Sequence, residues 1–224
     1  MLEYIEYLYN EDKSYGSVNQ FRSWLAHIES RNKGCQLISN DKRIILLLKG
    51  FQNTRIKEGK VIRTKPIRLI AVLKIINSPL LLKDAKHMVA IAYSFLLRHS
   101  EVVDILTHRS SITHEKKGWI LHLYCSKTDQ LQKGLSVFFP EELIPQELLG
   151  FVANVADDSV LWSIPSHQFL NNAIKSIMED PTYRFHGFRH GRTMDLLADG
   201  TPEVAIKQYG RWKSDVGFKN YVHK

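Results

Sequence analysis

The chain has 224 residues, 44% of them hydrophobic and 10% aromatic, enough apolar material for a packed core, which excludes global disorder. Lys+Arg 31 against Asp+Glu 23 leaves a net charge of +8. The two cysteines, Cys35 and Cys125, are too few for a disulfide framework or a four-thiolate zinc site, so a reducing, intracellular compartment is expected, the nucleus if the host is eukaryotic. The most apolar stretch, residues 88–97, is about half of the ~20 residues a bilayer needs, so no membrane partner is expected. The N-terminus, MLEYIEYLYNEDK, has neither the basic n-region nor the apolar h-region of a secretory signal. It opens directly in a helical pattern, as expected of a fragment or a short open reading frame.

Val18, Phe21, Leu25 and Ile28 lie on one face of a helix, with Gly34 as its stop. Asn40 or Asp41 caps a second helix, whose apolar residues run from Ile44 to Leu48 and which is expected to end at Gly50. Residues 51–65 are polar, basic and aperiodic and end before Pro66, which reads as a linker. Residues 31–86 carry 14 Lys/Arg against Asp41, Glu58 and Asp84, a net of +11 that points to a polyanionic partner, most often nucleic acid.

Helices are expected over 67–76 and 82–97. The period then changes: Trp119, Leu121 and Leu123 alternate with Ile120, His122 and Tyr124, residues 127–132 read as a turn, and 135–139 as a second strand. The resulting hairpin carries Lys127 at the end of its first strand. Helices return over 168–178, 188–198 and from Thr201-Pro202-Glu203 to Tyr209, with Gly200 and Gly210 as stops; Ser214 caps a last helix that contains Tyr221. His186 and His190 have the i, i+4 spacing of a zinc helix, but the intervening Glu of a metalloprotease helix and a third ligand are missing, so no metal is expected.

Taken in order, Arg98 with Glu101, Lys127 on a hairpin, His186-x-x-Arg189, Trp212, and Tyr221 nine residues on form a pattern that resembles the tyrosine recombinase/integrase family from about Gln20 to the end. The string Gly210-Arg211-Trp212-Lys213-Ser214-Asp215 looks most like recombinases of eukaryotic mobile elements, such as transposons. The resemblance implies a mainly α fold with a small antiparallel β-sheet: a partial helical core-binding domain over 1–50, a basic linker over 51–65 and a catalytic domain over 66–224. It implies site-specific recombination or integration, through cleavage and rejoining of double-stranded DNA by a 3′-phosphotyrosine, without metal, ATP or other cofactor. It further implies a homotetramer on paired sites, although the short core-binding part and the short tail after Tyr221 lead us to expect a monomer that binds single sites weakly.

On the resemblance, Tyr221 is the nucleophile, Arg98 and Arg189 grip the phosphate, Lys127 protonates the leaving oxygen, His186 does acid–base work and Trp212 buttresses the site. Glu101 and His190 support these groups from behind. Lys57, Lys60, Arg63, Lys65, Arg211 and Lys213 are expected on the DNA backbone. The competing readings are a type IB topoisomerase-like enzyme, a non-catalytic DNA-binding protein derived from a recombinase, and a basic helical protein with no DNA role.

Overall fold

The computed structural model describes residues 2–11, 13, 15–31, 41–58, 64–124, 134–157 and 160–222. The chain divides into two compact units, residues 1–63 and 64–224.

In the first unit α1 (Leu2–Asn10), α2 (Tyr15–Arg31) and α3 (Lys42–Lys57) enclose a small core of Ile5, Leu8, Val18, Ile44, Leu48 and Phe51. Asp41 caps α3, its carboxylate accepting from the Arg43 N–H at 2.8 Å. The helix does not stop at Gly50. It runs on to Lys57, so residues 51–57 of the expected linker are helical. Phe51 is buried, and Arg55 lies over the rings of Tyr9 (4.7 Å) and Phe51 (5.1 Å) while donating to the Tyr9 carbonyl. These contacts outweigh the roughly 1 kcal/mol that a glycine costs inside a helix.

The second unit holds α4 (Leu69–Asn77), α5 (Lys83–Ser94), α6 (His99–Leu106), β1 (Ser111–Glu115), β2 (Gly118–Leu123), β3 (Leu135–Pro140), α7 (Leu149–Val155), α8 (His167–Met178), α9 (Gly187–Ala198), α10 (Glu203–Gly210) and α11 (Asp215–Val222). The strands form an antiparallel sheet in the order β1-β2-β3, with Trp119 opposite Phe139 and Leu121 opposite Val137. The buried side chains of β2, Trp119, Leu121 and Leu123, are the ones its alternation marks as inward. β1 carries no such alternation and went unmarked; it is largely exposed and owes its conformation to pairing with β2. Among the described residues no helix is long and apolar enough to cross a membrane.

α5 and α9 lie in contact in the middle of the unit, and their apolar faces, Met88, Val89, Ile91 and Phe188 among them, are fully buried. The expected helix over 82–97 breaks after Ser94, because Leu96 takes a left-handed backbone (φ 51°) and turns the chain into α6. The apolar run continues through the break because Phe95, Leu96 and Leu97 are as buried as the helix itself.

Residues 64–68 are extended rather than helical at Ile67 and cross the start of α9, where the Ile67 N–H donates to the Gly187 carbonyl at 2.9 Å. The crossing needs glycine: a Cβ at Gly191 would sit 1.8 Å from the Ile67 oxygen. Asp195 of α9 accepts from Arg68, from the Leu69 N–H and from the Tyr93 hydroxyl, tying this segment and α5 to one helix. That helix presents the site.

Candidate active site

His186, Arg189 and His190 occupy the N-cap and first turn of α9. Spacings of three and four residues bring them to one side of the helix. His186 is at the surface end, and its Nε2 lies 2.8 Å from the Tyr221 hydroxyl. Its tautomer determines which of the two donates. His190 packs edge-on against the Tyr221 ring at 5.6 Å.

Arg189 is fully buried. Its guanidinium donates to the Leu96 and Gly210 carbonyls and lies 4.2 Å from the Trp212 ring and 5.9 Å from the Tyr221 ring. Burial presses its pKa down to about 9, with Arg211 and Arg98 pushing the same way and Glu101 and Tyr221 opposing. At neutral pH it remains a cation.

Arg98 precedes α6. Glu101, one turn later, accepts from the Arg98 backbone N–H at 2.8 Å and from Arg98 Nη1 at 2.6 Å. The Glu101 carboxylate is buried. Burial pushes its pKa up, but Arg211, the Arg98 N–H, Arg98 and Arg189 together hold it below the ordinary value. Arg98 itself opens into a cleft of about 480 Å³ lined also by Thr64, His186, His190, Arg211, Trp212, Lys213 and Tyr221.

Gly210, Arg211 and Trp212 link α10 to α11. Gly210 is required by the fold-back of Trp212, whose ring carbon would stand 1.7 Å from a Cβ there. Trp212 packs on Phe218 (5.4 Å) and Tyr221 (4.9 Å), so the last helix is seated through its buried Phe218. Ser214 caps that helix through the Gly217 N–H at 3.2 Å, and Lys207 of α10 pairs with Asp215 at 2.6 Å.

The structure thus brings Arg98, Glu101, His186, Arg189, His190, Trp212 and Tyr221 together from the starts of α6 and α9, the link between α10 and α11, and α11 itself. Lys127, Lys60 and Arg63 lie outside the described residues. Lys57 is exposed in the last turn of α3, in the first unit. Lys65 is exposed and ion-paired with Asp180 at 2.7 Å, and Lys213 is exposed at the rim of the cleft. Arg211, expected on the DNA backbone, lies buried at the wall of the cleft, and its guanidinium is committed to Phe95, Leu96, Tyr209 and Glu101. An arginine directly after a helix-stop glycine looks solvent-facing in sequence; only the left-handed turn at Arg211 (φ 59°) sends it inward. The Leu96 and Gly210 carbonyls, which orient the guanidiniums, carry no sequence signal. Among the described residues no three His, Cys, Asp or Glu side chains converge as a metal site would require.

The chain has the fold of a tyrosine recombinase catalytic domain, mainly helical with a short antiparallel sheet. Two solved structures similar to the chain are of XerH site-specific recombinase: a post-cleavage complex with palindromic difH substrate (TM-score 0.51) and a pre-cleavage complex with difH substrate (TM-score 0.50), each at 14% identity. The matches cover 74% and 72% of this chain and 51% of each solved chain, so it spans about half the length of those recombinases. Neither the protein-family models nor the curated proteins compared with the chain match it.

Proposed function

We propose that this chain cleaves and rejoins duplex DNA as a tyrosine recombinase, with Tyr221 as nucleophile. The observation that carries the reading is the 2.8 Å hydrogen bond between Tyr221 and His186 in a cleft that opens onto Arg98 and is backed by Arg189. A phenol of ordinary pKa ~10 is a poor nucleophile at neutral pH unless a base takes its proton. On this reading His186 takes it as the Tyr221 oxygen attacks phosphorus. The bond from phosphorus to the 5′-oxygen breaks, the 3′-phosphate stays on Tyr221, and the leaving 5′-oxygen receives a proton from Lys127. Charge gathers on the non-bridging oxygens in the transition state, and forked guanidinium donors stabilise it there more than in the ground state.

Arg98, its side chain 23% exposed, meets a phosphate without rearrangement. Arg189 sits beneath Trp212 and Tyr221, so its engagement requires those rings to shift. The similar solved structures are recombinases bound to their difH substrates, which supports a double-stranded DNA substrate here. Lys213 at the rim and the excess of basic residues over 31–86 supply phosphate contacts on the same reading. The Gly210–Asp215 string favours a mobile-element recombinase within the class, and a homotetramer on paired sites belongs to the same proposal.

The test is a duplex substrate nicked so that cleavage cannot be reversed, with the covalent product resolved on a denaturing gel and its peptide mapped. We expect an adduct at Tyr221. Tyr221→Phe should abolish it and leave salt-dependent duplex binding intact; an undiminished adduct in that variant overturns the assignment.

A further inference from the structure

Arg211 enters the site from behind. It lies in left-handed backbone, which for a non-glycine residue costs about 1–2 kcal/mol, and its side chain, 3% exposed, reaches four acceptors. Nη1 donates to the Tyr209 carbonyl at 2.8 Å and the Phe95 carbonyl at 3.3 Å; Nη2 donates to the Leu96 carbonyl at 3.0 Å and to Glu101 Oε2 at 2.9 Å. Two of those acceptors are shared with the arginines at the cleft. The Leu96 carbonyl also accepts from Arg189, and Glu101 holds Arg98 through both oxygens, Oε1 accepting from Nη1 at 2.6 Å and Oε2 from the backbone N–H at 2.8 Å. Leu96 is itself left-handed, at φ 51°.

Resting on the reading given under Proposed function, we propose that Arg211 is a positioning residue: by occupying one oxygen of Glu101 and sharing the Leu96 carbonyl, it keeps Arg98 and Arg189 oriented and charged for a tetrahedral anion. The charge argument is direct. Three guanidiniums against one carboxylate leave two net positive charges at the site. With Arg211 gone, Glu101 Oε2 keeps only the Arg98 backbone N–H and draws in the Arg98 guanidinium as well; a fork–fork pair forms, and a guanidinium that lines the cleft is both neutralised and withdrawn from it. Among the described residues Nε and Nη2 of Arg98 make no hydrogen bond, so those donors are what such a pair would consume. The Leu96 carbonyl keeps Arg189 but loses the second donor that fixes its left-handed turn, so the acceptor that orients Arg189 is held less firmly.

The experiment uses the full chain and the variants Arg211→Gly, Arg211→Lys and Arg211→Gly combined with Glu101→Gln. Glycine accepts the left-handed backbone without strain, so the turn survives while the side chain is lost. Three quantities are read: the single-turnover rate of adduct formation, the salt dependence of duplex binding, and calorimetric affinity for tungstate, a tetrahedral dianion. Arg211→Gly should form adduct about 10- to 100-fold more slowly, as misplacement of catalytic groups does. Its salt slope should equal that of the parent, because a buried guanidinium releases no counterions. Adding Glu101→Gln should restore part of the rate and of the tungstate affinity, because the carboxylate that captures Arg98 is then neutral. Arg211→Lys should fall between parent and glycine variant, and it carries the test if the glycine variant does not fold.

A rate within twofold of the parent in Arg211→Gly, or in Arg211→Lys where the glycine variant does not fold, overturns the proposal. So does a salt slope shallower by about one, which makes Arg211 a direct phosphate contact. A double variant slower than Arg211→Gly also overturns it, since only a structural role predicts further loss. A parent that forms no adduct removes the cleavage reading alone; tungstate binding that weakens in Arg211→Gly and recovers in the double variant then still upholds the positioning role, and its failure to change overturns it.

Discussion

Arg189→Lys separates the bracing that the structure shows for this side chain from the catalytic task that the proposed function gives it. Arg189 closes the gap between the turn after α5 and the end of α10 by donating to Leu96 and Gly210, and it stacks on Trp212 at 4.2 Å. A lysine keeps the charge, but its single ammonium cannot span both carbonyls in the fixed plane of a guanidinium. One buried acceptor left unpaired costs about 1–3 kcal/mol, and a weakened cation–ring contact adds roughly 0.5–1 kcal/mol. For a unit of this size each kcal/mol is worth about 2–4 °C in Tm, so a fall of about 3–16 °C is expected. On the proposed mechanism the rate should fall further than stability accounts for, by about 10²–10³, because the guanidinium, once the covering rings shift, offers the transition-state charge a forked donor that an ammonium cannot. The assay is single-turnover adduct formation at a temperature where both proteins are folded, beside thermal denaturation followed by circular dichroism. A lysine variant with lowered Tm and a rate within threefold of the parent would reduce Arg189 to a structural brace; one unchanged in both would refute the geometric reasoning altogether.

Lys127→Ala should slow cleavage of an ordinary phosphodiester, and a substrate with sulfur at the 5′-bridging position, whose leaving group needs no proton, should largely rescue it; equal defects on both substrates would leave Lys127 a phosphate contact only. Cleavage is expected to proceed in EDTA, because guanidiniums rather than a cation meet the phosphate; activity abolished by chelator and restored by Mg²⁺ would point to another mechanism. His99, packed between His167 (4.5 Å) and Phe185 (5.2 Å), is pushed down from 6.5 to about 4 by burial and then by His167. Its folded value lies below its unfolded value, so the unfolded chain binds the proton first: its contribution is intact above pH 6.5 and is lost as pH falls from 6.5 towards 4. Urea denaturation across that range should show the decline, and His99→Leu should flatten it; an unaltered slope would assign the decline to other groups.

What the sequence determined alone is the order of the chemistry and the elements that carry it. His186-x-x-Arg189-His190 at a helix start, the alternation of Trp119, Leu121 and Leu123, and Ser214 before the last helix are local signals, set by helix and strand periods and by capping, and each is found where its period puts it. Tertiary structure decided what local signals cannot encode. Gly50 reads as a stop, yet α3 continues because Phe51 and Arg55 find partners on α1. The apolar run over 82–97 hides a turn, because burial on all sides removes the periodicity that would reveal it. Arg211 looks like a surface cation and is buried, because one left-handed residue redirects it to Glu101, 110 positions away along the chain. Arg98, Arg189 and Tyr221 come from separate helices, and their distances are fixed by how α6, α9 and α11 pack. A motif specifies which groups are present; long-range packing and shared hydrogen-bond acceptors specify which of them face the cleft, which lie behind it, and which charges remain available to a phosphate.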